Sequence, residues 1–318
     1  MSAVADTAVL RRLLRPEFER WSQQAASTGY CSRPLRLTGL SRTVERSSGR
    51  VLSEYRTAAE PDGVMYVRCG DRREARCASC SRLYAVDSWH VIRAGMVGGE
   101  KGVPTDVRSR PMAFVTLTAP SFGAVHSAPV DGGPCHVRCA PGTCPHGVPL
   151  RCTQRHGKDD SAVGTPLCSQ CYRYEEQAMW NYGSRLLWHH VPTIAGRHLA
   201  ALVGLSQRQF RVVAALRYFR IVEMQRRGVV HFHIIARVDP VSREPQHREL
   251  FEMITSEMLG EAFRIAAAEA YVVLPPVDDK DQPHRLTFGV QTDVQVIGQG
   301  PGSEPDRVAG YLAKYSTK

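Results

Sequence analysis

The sequence predicts an α+β fold, with an antiparallel sheet of about five strands and helices packed on one face. Three observations carry this. Two strand-like runs, 216–226 and 229–238, meet at Arg227-Gly228, a hairpin signature. The run Met112 to Thr118 is apolar, short and closed by Ala119-Pro120, as a buried strand is. Helical patterns at 172–190, 205–215 and 245–271 lie between and beyond these strands.

The remaining elements follow in chain order. Residues 1–30 suggest a short amphipathic helix and a polar link. A helix is expected from Tyr84 to Ala94, stopped by Gly95. Residues 124–171 are rich in Gly, Pro, Cys and His without periodicity, and a loop of that length needs a staple. Leu286 to Ile297 offers one more strand, and a short helix from Asp306 ends the chain. No internal repeat is found.

At 318 residues, with 43% hydrophobic and 23% charged, the chain is an ordinary globular one, which excludes wholesale disorder, collagen and coiled coil. No apolar run approaches the ~18 residues of a membrane span. Asp6, Arg11, Arg12 and Arg15 break the N-terminus, so a signal peptide is not expected and a cytoplasmic location is. The net charge is +10, and arginine supplies nearly all of it, lysine occurring only as Lys101, Lys158, Lys280, Lys314 and Lys318. Such a balance suits a polyanion such as nucleic acid, and arginine forks onto phosphate; a solvated basic surface and a GC-rich genome are the plainer readings.

Ten cysteines include two CxxC knuckles, Cys77/Cys80 and Cys168/Cys171. Two thiolates three residues apart can reach one tetrahedral ion, whereas a redox CxxC needs a strand-to-helix turn not evident here. Two structural zinc sites are expected. The first is Cys31, Cys69, Cys77 and Cys80, with Cys31 brought beside Cys69 by a ribbon in which 34–38 and 51–55 flank a polar turn. The second is Cys144, Cys152, Cys168 and Cys171, with His146 and His156 as competing ligands. Buried free thiols are the alternative. Cys135 and Cys139 are left over, as surface thiols.

The stretch Gly228 to Val238 alternates strictly. Val230, Phe232, Ile234, Ala236 and Val238 share a core face, so His231 and His233 share the other. Two imidazoles side by side suit a divalent ion; two half-exposed histidines are the bland alternative. If Arg226-Arg227-Gly228 is a three-residue loop, Glu223 faces His231 and completes a three-ligand set. A two-residue loop would turn Glu223 away, and Gln225 is then the fallback. Near the end, Tyr311 and Tyr315 stand at i and i+4 on one helical face, with Lys314 and Lys318 a turn away. They are either packing aromatics or phosphorus nucleophiles.

Taken in order, Phe114–Thr118, His231-Phe232-His233 and Leu312–Lys318 resemble the three motifs of the HUH-endonuclease rolling-circle replication initiators. More closely, nearly the whole chain is similar to the RepSA-type initiators of plasmids and integrative elements of high-GC Gram-positive bacteria. Lys101–Pro104, Thr116–Gly123, Cys144–Gly147, Cys168–Tyr172 and Arg227–His233 carry that likeness, with Cys31 and the Cys69/Cys77/Cys80 cluster.

The resemblance implies an HUH nuclease domain over 111–318 that carries the zinc-stapled insertion. A zinc-ribbon-like region over 1–110 would precede it. It implies nicking and rejoining of single-stranded DNA at a plasmid origin through a 5′-phosphotyrosine. Tyr315 would be the nucleophile, Lys318 the charge-stabilising cation, and His231, His233 and Glu223 the ligands of Mg²⁺ or Mn²⁺. Single-stranded DNA, the origin duplex and host helicase and polymerase would be partners.

There are two departures. Tyr311 stands where one plasmid branch carries a glutamate, and Tyr-x-x-x-Tyr resembles initiators of isometric single-stranded-DNA phages, where two tyrosines alternate. The chain also stops at Lys318, where such proteins usually continue, so a truncation is expected. Two other classes stay open: a relaxase or transposase, and a zinc-dependent DNA-binding regulator without chemistry. Relaxases usually carry three clustered histidines and an N-terminal tyrosine, which this sequence lacks.

Overall fold

The computed structural model describes residues 9–129, 131–135, 142–276, 282–297 and 304–317. The described residues divide into two compact units, those up to 89 with 316 and 317, and those from 90 to 315.

In the first unit, helix α1 (Phe18–Ser27) precedes four short strands: β1 (Leu35–Leu37), β2 (Leu40–Val44), β3 (Val51–Arg56) and β4 (Met65–Val67). The ribbon differs from the expected one. Strands β2 and β3 form the hairpin, while β1 pairs with β4 through Leu35↔Val67. That second pairing brings Cys31 and Cys69 together, because each lies just outside a paired strand end. Helix α2 (Ala78–Val97) begins at the knuckle and runs through Gly95, ending before Gly98 and Gly99, whose φ values are +76° and +82°.

The second unit is built on a four-stranded antiparallel sheet, ordered β10-β5-β7-β6. Its strands are β5 (Met112–Leu117), β6 (Ala214–Met224), β7 (Val230–Pro240) and β10 (Thr292–Val296). Four strands, rather than about five, pair in this sheet among the described residues. The difference lies in Leu286–Ile297, which is two strands. The first, β9 (His284–Thr287), pairs with β8 (Tyr271–Leu274) in a separate ribbon, and the second, β10, joins β5. The switch occurs at Gly289, whose N–H bonds the Thr118 carbonyl at 2.8 Å. A Cβ there would lie 2.3 Å from the Ala119 carbonyl oxygen, so only glycine lets the chain cross so closely.

One sheet face carries the core. Val230, Phe232, Ile234, Ala236 and Val238 are all buried, packed with Ala113, Val115 and Leu117 of β5. Against them lie α3 (Tyr174–Leu202) and α6 (Ser256–Glu269). In α3, Trp180, Ser184, Leu187, Val191, Ala195 and Leu199 form one buried stripe at helical spacing. This burial carries the helix through Pro192, beyond the end expected at 190, although an internal proline costs about 3 kcal/mol. The predicted 245–271 helix is instead α5 (Pro245–Glu252) and α6, because Thr255 caps a new start by accepting from the Met258 N–H at 3.2 Å. Short α4 (Gln207–Val213) leads into β6.

Trp180 is fully buried, and its Nε1–H donates to the Val230 carbonyl at 2.9 Å. Trp180→Ala is therefore expected to lower unfolding free energy by about 3–5 kcal/mol in urea titration. A change under about 1 kcal/mol would show that this ring does not hold α3 to the sheet.

Helices occupy both faces, not one. Helix α7 (Glu304–Tyr315) lies on the histidine side, where Tyr311 packs edge-on to Phe114 with ring centroids 6.0 Å apart. Ala309, Leu312 and Ala313 are its buried stripe, and Asp306 pairs with Arg93 at 2.7 Å.

Candidate active site and metal-binding groups

The β6–β7 loop is the three-residue kind. Gln225 N–H bonds the Val229 carbonyl at 3.0 Å, Gly228 N–H bonds the Gln225 carbonyl at 2.8 Å, and Gly228 has φ +73°. The register that follows pairs Glu223 with His231 and Ile221 with His233. Neither histidine is half-exposed; both are buried, at 6% and 2%.

Several side chains meet on this face. The His231 and His233 rings are 4.6 Å apart, and His233 Nε2 is 3.2 Å from Glu223 Oε2. Thr116 Oγ1 sits 3.3 Å from His233 Nδ1, and Phe114 stacks on that ring at 5.9 Å. From α7, the Tyr315 ring comes within 5.1 Å of His233 and that of Tyr311 within 5.6 Å, the two tyrosines being 4.6 Å apart. A cleft of about 450 Å³ opens here, lined by Glu223, His231, His233, Tyr311 and Tyr315. A second, of about 430 Å³, adds Phe114, Thr116, Asp293 and Arg307.

The electrostatics suit a divalent cation. Burial, then the neighbouring His233, pushes His231 down to about 4, so its imidazole is neutral at pH 7 and offers a lone pair. His231 Nδ1 is buried without a hydrogen-bond partner. If His233 donates Nδ1–H to Thr116, its Nε2 lone pair faces the Glu223 carboxylate, and two acceptors at 3.2 Å fit a shared cation or proton. Gln225 is occupied differently, its side-chain oxygen accepting from Arg227 Nε at 2.9 Å. Burial, then the Tyr315 hydroxyl, raises the Tyr311 phenol above its ordinary range. Lys318 lies outside the described residues.

Sequence reasoning missed Phe114, Thr116 and Asp293 as members of this face. The signal was available for the first two, since alternation along β5 puts Phe114 and Thr116 opposite the core residues Ala113, Val115 and Leu117. Asp293 follows only from the register Asp293↔Thr116, which needed β10 to be recognised as a separate strand.

Among the described residues, three Cys/His groups, each with all ligand atoms within 4.8 Å, could hold a metal. The histidine–carboxylate trio is not among them. The first group is Cys31, Cys69, Cys77 and Cys80, with sulfur–sulfur separations of 3.6–3.7 Å. A tetrahedral ion with metal–sulfur bonds of about 2.3 Å holds its sulfurs about 3.8 Å apart, whereas a disulfide closes to about 2.05 Å. Within the group the shifts are opposed: the Ser32 hydroxyl, then the Cys80 backbone, brings Cys77 down to about 5, while burial pushes Cys80 up to about 12.

The second group corrects the expected set. It is Cys144, His146, Cys168 and Cys171; Cys152 is not part of it. The cause is local: Cys144 to Gly147 is one tight turn, with Gly147 N–H on the Cys144 carbonyl at 2.9 Å, and it swings His146 to within 3.2 Å of Cys171 Sγ. Cys152 joins His126, Cys135 and His156 instead, so Cys135 is a buried member of a third group rather than a surface thiol. Cys139 lies outside the described residues.

Within the second unit, a histidine-bearing strand and two tyrosines of α7 thus line one cleft. Residues 17–318 match the family described as replication initiator protein, pSAM2 (RepSA), and the chain belongs to this family. It is 36% identical over 326 aligned residues to a replication initiator protein of Streptomyces ambofaciens, covering 98% of this chain and 66% of that relative's length. No solved structure matches the chain. No helix among the described residues is long and apolar enough to cross a membrane.

Proposed function

We propose that this chain initiates plasmid-type rolling-circle replication by nicking and rejoining single-stranded DNA at an origin, as an HUH endonuclease. The observation that carries the reading is the packing of Tyr311 and Tyr315, from α7, against His233, some eighty residues earlier in the chain, in a cleft that His231 and Glu223 also line. Packing alone does not call for two buried imidazoles, an acid and two phenols around one cleft.

His231, His233 and Glu223 would hold Mg²⁺ or Mn²⁺, which when bound polarises the scissile phosphate. Thr116 orients His233 by engaging Nδ1, and Phe114 holds its ring in plane. Tyr315 Oη attacks phosphorus in line, the phosphorus–O3′ bond breaks, and the O3′ leaves with a proton as a free 3′-OH. The 5′ phosphate stays on the tyrosine until a 3′-OH attacks it and rejoins the strand. The free 3′-OH primes a host polymerase, with a host helicase opening the duplex. The first two Cys/His groups hold structural zinc.

Incubation with single-stranded origin DNA and Mn²⁺ is expected to give a covalent adduct. His231→Ala or His233→Ala should lower cleavage at least about a hundredfold while duplex binding and folding persist. Undiminished cleavage by either variant would sink the metal assignment.

A further inference from the structure

We infer that His126, Cys135, Cys152 and His156 form a third zinc site, one that ties the insertion to the wall of the catalytic cleft. Three of the six ligand–ligand separations stand within a few tenths of an ångström of those a tetrahedral ion imposes, and all lie within 4.8 Å. His126 Nδ1 is 3.1 Å from His156 Nε2, Cys152 Sγ is 3.5 Å from His156 Nε2, and Cys135 Sγ is 3.8 Å from His126 Nδ1. Bonds of about 2.0–2.1 Å to nitrogen and 2.3 Å to sulfur put tetrahedral ligands about 3.3–3.8 Å apart. Two thiolates and two neutral imidazoles make a closed, charge-balanced set, as structural zinc takes.

Surrounding groups serve the ligands. Asp160 Oδ2 is 2.7 Å from His156 Nδ1, the nitrogen that does not face the other three ligands. A carboxylate there fixes the tautomer and aims Nε2 inward. Ser127 N–H donates to Cys135 Sγ at 3.0 Å, which orients the sulfur. Backbone bonds close the frame: Cys135 N–H on the Gln154 carbonyl at 2.9 Å, and His126 N–H on the Thr165 carbonyl at 2.8 Å.

The same segment leans on the hairpin that carries Glu223. Arg226 donates to the carbonyls of Lys158 and Asp160, the latter at 3.0 Å. Gly164 packs so closely that a Cβ would lie 2.9 Å from the Arg226–Arg227 peptide. His126 itself lines the cleft shared by Glu223, His231 and Tyr315. A continuous path thus runs from the ion through His156 and Asp160 to Arg226. The zinc is a positioning element: it touches no substrate and holds the wall against which the hairpin rests.

The test is a metal count that does not depend on nicking. Native mass spectrometry of the full chain carrying His231→Ala and His233→Ala, so that the histidine face contributes no ion, is expected to show three zinc ions. Adding Cys135→Ser and Cys152→Ser should leave two. Two ions in the parent, or three retained after the cysteine changes, would overturn the site. Should the cysteine variants fail to fold, the parent count alone decides. Asp160→Asn, which keeps all four ligands, should bind three ions but hold one about ten- to a hundredfold more weakly against a competing chelator. Wild-type retention of all three in that variant would overturn the path through Asp160.

Discussion

Tyr315→Phe is expected to abolish the covalent DNA adduct and lower the first cleavage at least about a thousandfold, because phenylalanine keeps the ring and loses the only atom that attacks. Tyr311→Phe should instead nick normally and fail at strand transfer or termination. Both rings reach His233, so distance alone does not rank them. Two features do. Burial and the Tyr315 hydroxyl make the Tyr311 phenol harder to ionise, which disfavours it as first nucleophile. Tyr311 also packs edge-on to Phe114, an interaction that fits a second, held nucleophile or a packing aromatic. If Tyr311 only packs, its phenylalanine variant completes every step. Mass spectrometry of the adduct decides: a DNA-linked peptide carrying the modification on Tyr311 would reverse the order of the two.

The parts of this site that were legible in the sequence are those governed by local periodicity. Alternation along Val230–Val238 separates core from histidine face because the strand repeat is two residues. One glycine in the left-handed region sets the hairpin length, and through it the placement of Glu223. The i, i+4 spacing puts Tyr311 and Tyr315 together wherever the helix lies. What could not be read was long-range partner choice. Cys152 stands eight residues from Cys144, the spacing that also separates Cys69 from Cys77, yet a tight turn at Gly147 supplies His146 first. The partner of Cys152 is set by the bond from Cys135 to Gln154, which no spacing announces. Likewise, Leu286–Ile297 reads as one strand, yet the pairings of β9 with β8 and of β10 with β5 divide it between two sheets, the chain crossing closely at Gly289.

Removing metal from the Cys31, Cys69, Cys77 and Cys80 group is expected to unfold the first unit outright. Strands β1, β2 and β3 are exposed along their whole length. Beyond Pro61 and Val64, the buried apolar side chains among the described residues up to 89 are Cys31, Cys77 and Cys80. A unit with so little apolar surface removed from water cannot offset its chain entropy by packing. Structural zinc contributes about 10–16 kcal/mol in peptides of comparable ligand content, enough to change the outcome from unfolded to folded. Cys80→Ala should therefore erase amide protection across 35–67 in hydrogen exchange while β7, held by its own core, keeps its protection. Chelation of the wild-type chain should do the same to 35–67. Protection in β1–β4 that survives both treatments would show that the ribbon is held by something other than its cysteines.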